Sequence, residues 1–484
     1  MSARFEGFII MSQFPSRRAR VAWVALVGIG AGLGARFAAL ASPPGPVPTQ
    51  QAPSESFARI GSVGCSARGC HGAVGKVDPL HGDVYIPDGA STTWTYFDPH
   101  ARAYAALLEP RSKRIVAKLN ASTSRLETDK AHEAKLCLAC HASVDPPRTK
   151  GNVAIDKGVD CESCHGPAEK WQALHVNKEW LKKSGAEKAR DGMSEITSLT
   201  GRAQLCVECH VGNRSKGMDM NHDLIAAGHP RLDFEFSAYL AAYPKHWKEP
   251  ESKPADFEAK AWEIGQASVI KASLDLLKGR AEQIEKPVAP ALASAWPEFS
   301  ESECFGCHHE LAKPSWRQAE GRPGRPEWGS WPLAALPALA KRPGGNAIVA
   351  ENSPLSQLRV EMRKVVPDPV VAAKLAGEAS RQVELWIPSL EKARWTQDEL
   401  AKFAESLAPS SPIRETWDVA AQRAMALEAL GRAARDLKAS ELEQGLRKRV
   451  EGMTGLDFWD GFDSPRDGRP GANAEPPKAS GAGS

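Results

Sequence analysis

Beyond its first forty residues the chain has no apolar run that approaches a membrane span, which excludes a polytopic membrane protein. It lacks a charge excess: 62 Lys and Arg stand against 59 Asp and Glu, a net of +3, and that balance gives no reason to expect a nucleic-acid partner. Cysteine is sparse, 10 in 484 residues, too few for a disulfide-stapled scaffold. No P-loop, G-x-G-x-x-G or Ser-His-Asp pattern stands out, strand signals are weak, and there is no repeat of fixed period beyond the cysteine motifs. A 42% hydrophobic share with 25% charge is that of a globular chain, long enough for two or three domains.

The ten cysteines fall into five pairs: Cys65/Cys70, Cys137/Cys140, Cys161/Cys164, Cys206/Cys209 and Cys304/Cys307. Each second cysteine is followed directly by histidine, at His71, His141, His165, His210 and His308. Four segments read C-x-x-C-H (CLACH, CESCH, CVECH, CFGCH), and the first, CSARGCH, has four residues between its cysteines. C-x-x-C-H is the attachment signature of c-type haem: two thiols form thioethers to the porphyrin, and the next residue reaches the iron as proximal ligand. With 13 histidines in 484 residues, five of five by coincidence is roughly one in 10⁸. Structural zinc would use C-x-x-C knuckles but does not require histidine after every second cysteine. Disulfides need no histidine at all. The expectation is five covalent haem c groups.

Eight further histidines all lie among the motifs, and the final 175 residues have none. That clustering points to distal iron ligands. His100, His132, His175, His222 and His229 lead. His246 ranks behind them. His309 is awkward for the haem of its own motif, and His81 reads as solvated or propionate-bonding. Met218 and Met220 rank below the histidines as ligands. Arg102 and Arg231, which follow candidate ligands, are either propionate partners or surface arginines.

Residues 1–41 read as an export signal or an uncleaved signal anchor. Arg17, Arg18 and Arg20 precede fifteen uncharged residues, and Ala39-Leu40-Ala41 resembles a cleavage site. A Pro-rich linker follows (42–60), then a five-haem domain (61–310) in which porphyrins form much of the core. Only nineteen residues separate His141 from Cys161, so haems two and three are expected to be adjacent. A helix is expected over 256–286, with Trp262, Ile270, Leu274 and Leu277 on its apolar stripe. Next come an irregular connector (311–354), a helical module (355–467) and a disordered tail (468–484). In the module, Thr396 and Glu399 form a capping box, Ser411-Pro412 starts a second helix, and Ser440 and Glu443 cap a third. The fold class expected is mainly α.

GVDCESCHGP (158–167) and TYFDPHARAY (95–104) resemble segments of multihaem cytochromes of the cytochrome c-554 type, and the order of CLACH, CESCH, His175 and CVECH is similar. The likeness runs over roughly 61–229. The stretch from 221 through CFGCHH resembles a further group of exported multihaem cytochromes. The resemblance implies a mostly helical fold, haems in stacked and perpendicular pairs, and irons mostly bis-histidine with one able to be five-coordinate. It also implies electron shuttling between periplasmic oxidoreductases, with His71, His141, His165 and His210 proximal and His100 and His175 distal. The longer first motif, the fifth motif and the helical module depart from the smaller family members.

Two functional readings follow. One is a periplasmic or otherwise exported electron carrier, serving redox partner proteins and tethered to a membrane if its N-terminal segment is uncleaved. The other is a reductase of a small nitrogen or sulfur oxyanion or nitric oxide at a five-coordinate haem. No C-x-x-C-K occurs and the spare histidines suffice to close every iron, which favours the carrier.

Overall fold

The computed structural model describes residues 57–74, 88–123, 126–143, 158–248, 253–285, 295–304, 308, 327–407 and 416–454. The N-terminal signal or anchor, most of the linker, His81, Cys307, His309 and the tail lie outside the described residues. In chain order the main helices are α1 (Ala90–Phe97), α2 (Pro110–Thr123), α3 (Lys135–His141), α4 (Cys161–His165), α5 (Leu199–His210), α6 (His222–Ala227) and α7 (Phe236–Ala242). They continue with α8 (Phe257–Glu285), α9 (Pro354–Met362), α10 (Pro369–Lys392), α11 (Gln397–Ser406), α12 (Trp417–Asp436) and α13 (Ser440–Thr454). The fold is mainly α, and the described residues include isolated bridges but no strand. Among them no helix is long and apolar enough to cross a membrane.

The helix expected at 256–286 forms as α8, and it is apolar on two faces rather than one. Ala259, Trp262, Ala267, Ile270, Leu274 and Leu277 pack with the C-terminal helices. Ala261, Ile264 and Val269 pack on Ala203 and Val207 of α5 and on Phe234 and Phe236. A helix apolar around most of its circumference must be covered around most of it. Gly265 permits that closeness, since a Cβ there would stand 2.5 Å from Phe236 Cβ.

Helix α10 lies along α8 through a face of small residues, with Ala372, Ala376, Ala379, Val383, Ile387 and Leu390 all buried at helical spacing. Asp368 caps its start by accepting from the N–H groups of Val370 and Val371, and Pro369 takes the first turn, where no N–H is missed. Lys260 on α8 donates to the carbonyls of Leu390 and Glu391, closing the other end of α10. Helices α11 and α12 complete the cluster through Leu400, Phe403, Leu427 and Leu430. The module set apart from 355 onward in the sequence thus shares one apolar cluster with a helix of the haem region.

Thr396 and Glu399 make the reciprocal capping box. Ser411 and Pro412 lie outside the described residues, and α12 begins at Trp417, with the Thr416 hydroxyl accepting from Val419 N–H. At α13 the expected box is replaced. Glu443 donates its N–H to the Ala439 carbonyl, and its carboxylate accepts from Arg435 Nε at 2.8 Å. Ser440 is therefore the first helical residue rather than the cap.

Candidate haem-iron sites

Three of the motifs sit on helices. α3 is CLACH with two leading residues, α4 is CESCH alone, and α5 ends in CVECH. On a helix, positions i, i+3 and i+4 share one face, so the two thiols and the imidazole project together. The fifth motif closes a helical turn from His308 N–H to the Cys304 carbonyl at 2.9 Å. The first motif is not helical. Its longer loop is folded by turns, and His71 N–H still returns to the Cys65 carbonyl, at 3.2 Å.

The third motif is braced most heavily. Glu162, inside CESCH, is 1% exposed, and its carboxylate accepts from the backbone N–H groups of Ile60, Gly61 and Ala168. It thereby ties the chain ahead of the first motif to the third. Gly166, directly after His165, has φ +82°, and a Cβ there would stand 2.2 Å from the Gly192 carbonyl oxygen. The glycine of CHGP is required by both conformation and space.

Every motif histidine faces another histidine ring. The pairs, by centroid separation, are His71–His175 at 6.0 Å, His141–His229 at 6.4 Å and His165–His246 at 6.1 Å. His210–His100 follow at 6.1 Å and His308–His222 at 6.4 Å. Two imidazoles on opposite sides of one metal ion, each nitrogen about 2 Å from it, have ring centres about 6 Å apart. These rings are therefore spaced for an ion between them.

His246, ranked low from sequence, stands opposite His165. His132, ranked high, does not face a motif ring: its ring meets Tyr104 edge-on at 6.3 Å, and its Nε2 lies 3.8 Å from a Glu133 oxygen. The only local signal at His246 is its aromatic setting, with Tyr243 and Trp247 against its ring. Arg231 is not free for a propionate. It is bound bidentately to Asp418 of α12, at 2.7 and 2.9 Å, and lies over Trp331. Burial works against its charge, but Asp418 outweighs burial and raises its pKa. Arg102 is exposed.

Iron takes the neutral form of imidazole. Burial pushes His165 and His210 down to about 4, which keeps both rings neutral at ordinary pH. His100 moves the other way, raised by its bond to the Asp98 carboxylate. Burial also pushes the Cys137 thiol up to about 11 and those of Cys164 and Cys206 up to about 12. At these three positions burial favours the uncharged sulfur, the form that a thioether keeps. Among the described residues, no three His, Cys, Asp or Glu side chains converge as a metal-holding group. The donor set fits haem c: thiols and imidazole on one face, with a second imidazole across a gap of the right width.

The thiols also show how the motifs neighbour one another. Cys65 of the first lies close enough to Cys161 of the third for its pKa to be lowered by it, and Cys140 of the second lies close enough to Cys209 of the fourth for its pKa to be raised by it. Cys164 of the third lies within electrostatic reach of Cys206 and Cys209 of the fourth. Motifs two and three, close in sequence, are also joined in the fold: Ser143, two residues after His141, donates its hydroxyl to Asp160 at 2.8 Å and meets the Ser163 hydroxyl inside CESCH. The thiols join one with three and two with four.

The family described as cytochrome c554 and c-prime matches residues 89–166, which span α1, His100, CLACH and CESCH. Over that stretch the chain resembles the cytochrome c-554 family, and the match supports haem c as cofactor and electron transfer as role. Compared with curated proteins and with solved structures, the chain matches none.

Proposed function

We propose that the protein is an exported multihaem cytochrome that carries electrons between redox partner proteins through five haem c groups. The haems are held by the pairs His71/His175, His141/His229, His165/His246, His210/His100 and His308/His222. The observation that carries this reading is the recurrence of one ring spacing, 6.0–6.4 Å, at all five motif histidines. Haem c supplies a reversible one-electron couple at each pair. The chain's own residues would anchor it by thiols and offer an imidazole on either side. An imidazole on each side favours electron transfer over the reductase reading, which requires an iron open to a small molecule.

The first site is the natural port. Cys70 is exposed, and Val63, Val74 and Val176, which flank the motif and His175, are 64%, 66% and 74% exposed. Bare apolar side chains around a redox centre suit the docking of a partner.

The test is a pair of variants in the haem-loaded protein, read by electron paramagnetic resonance of the ferric form. His246→Ala converts one haem from low to high spin, and His132→Ala converts none. Pyridine haemochrome gives five haems per chain. An unchanged spectrum in His246→Ala, or two haems or fewer, removes the reading.

A further inference from the structure

One axial candidate is held unlike the others. Asp98 is 1% exposed, and its three bonds are all received from donors. Its Oδ1 accepts from His100 N–H at 2.9 Å and His100 Nδ1 at 2.8 Å, and its Oδ2 accepts from the Tyr243 hydroxyl at 2.6 Å. An aspartate at neutral pH is a carboxylate and can only accept, so the proton of this bond sits on His100 Nδ1. Asp98 also caps the turn Pro99–Arg102, where Pro99 fixes the backbone, so the carboxylate cannot easily leave the ring.

Among the described histidines that face another histidine ring, the other ring nitrogens with acceptors meet neutral carbonyls: His141 Nδ1 that of Ala103, His175 Nδ1 that of Gln172, and His229 Nδ1 that of Pro230. We propose that Asp98 is a positioning residue that makes His100 the most anionic axial donor of the molecule and holds the haem of the fourth motif at a lower potential than those with carbonyl-bonded ligands. The inference rests on the ligation by His100 and His210 proposed above.

The physical chain is short. With Nδ1–H given to Asp98, Nε2 is the nitrogen left for iron. A carboxylate on the far nitrogen raises the basicity of the ligating one, and a more basic ligand stabilises ferric over ferrous iron. Tyr243 extends the arrangement: its ring lies 6.1 Å from His100 and 6.2 Å from His246, the candidate ligand of the third site. An electron on the fourth haem therefore has a neighbour of higher potential on the far side of one tyrosine.

The experiment is spectroelectrochemical titration of the haem-loaded protein, its Asp98→Asn variant and its His100→Ala variant. His100→Ala identifies the fourth haem as the one that turns high spin. In Asp98→Asn, which keeps an acceptor of the same shape but no charge, that haem stays low spin. Its ferrous-to-ferric ratio at fixed ambient potential rises about tenfold, a shift of about 59 mV for one electron. Tyr243→Phe, which leaves the charge of Asp98 to His100 alone, lowers the potential of the same haem, a second readout that holds even if Asp98→Asn folds poorly. A fourth haem that turns high spin in His100→Ala but keeps its parent potential in both Asp98→Asn and Tyr243→Phe overturns the role of Asp98 alone. No high-spin haem in His100→Ala overturns the ligation instead.

Discussion

On the side of α8 that meets α10 and α12, alanine, leucine, phenylalanine and tryptophan side chains touch one another in a single cluster reaching from Ala259 to Leu446. Among the motifs the apolar clusters are smaller: one around Ile115, Val116 and Leu224, and one of Ala168, Trp171 and Trp180. There the imidazole rings face each other across gaps instead of touching. The first side is closed by amino acids alone. The second would be closed by the haems proposed between the rings, so cofactor attachment and folding are expected to be one event there, as in small metal-dependent domains.

The largest effect follows from removing that filling. Protein made without haem loading, or with motif cysteines replaced by alanine, is expected to lose amide protection through α1–α6 while α10 and α12 keep theirs. Hydrogen exchange measures it. Equal protection on both sides of α8 in the haem-free protein would abolish the contrast.

The next effect tests the join. Asp418→Ala leaves Arg231 buried with its bidentate partner gone. Breaking a buried ion pair this way costs about 3–5 kcal/mol, and the nearby Asp233, at 3.5 Å, moves the expectation to the lower end. Denaturant unfolding of the haem-loaded protein reads it, with both regions destabilised because the pair bridges them.

The smallest lies wholly within the amino-acid core. Thr396→Ala removes the cap of α11 and is expected to cost about 1 kcal/mol, seen in helix unfolding with the haem spectrum unchanged.

What was legible in the sequence was what is local. The C-x-x-C-H spacing, the extent of α8 and the Thr396 box each depend on neighbours a few residues away, and the structure shows the helices they call for. The facing of the rings was not legible, because it joins distant segments. His132 is close to a motif in sequence and still turns to Tyr104, whereas His246 arrives opposite His165 from the loop after α7. The two faces of α8 were half legible: a single stripe was visible, but small residues such as Ala261 do not announce burial by periodicity. Asp98 had a signal that went unread, a carboxylate two residues before a histidine with proline between them.

Arg231 and Asp418 are 187 residues apart in the chain, and Arg231 comes two residues after His229. A chain made from its N-terminus presents the motif at Cys137–His141 long before Asp418 exists. The segment that brings His229 opposite His141 is first held by Arg111, which donates to the Gly228 carbonyl, and gains its buried ion pair only when the final helices arrive. An order of assembly follows for the polypeptide itself: the early contact to Arg111 can form while the chain is still short, and the ion pair with Asp418 can only be added last.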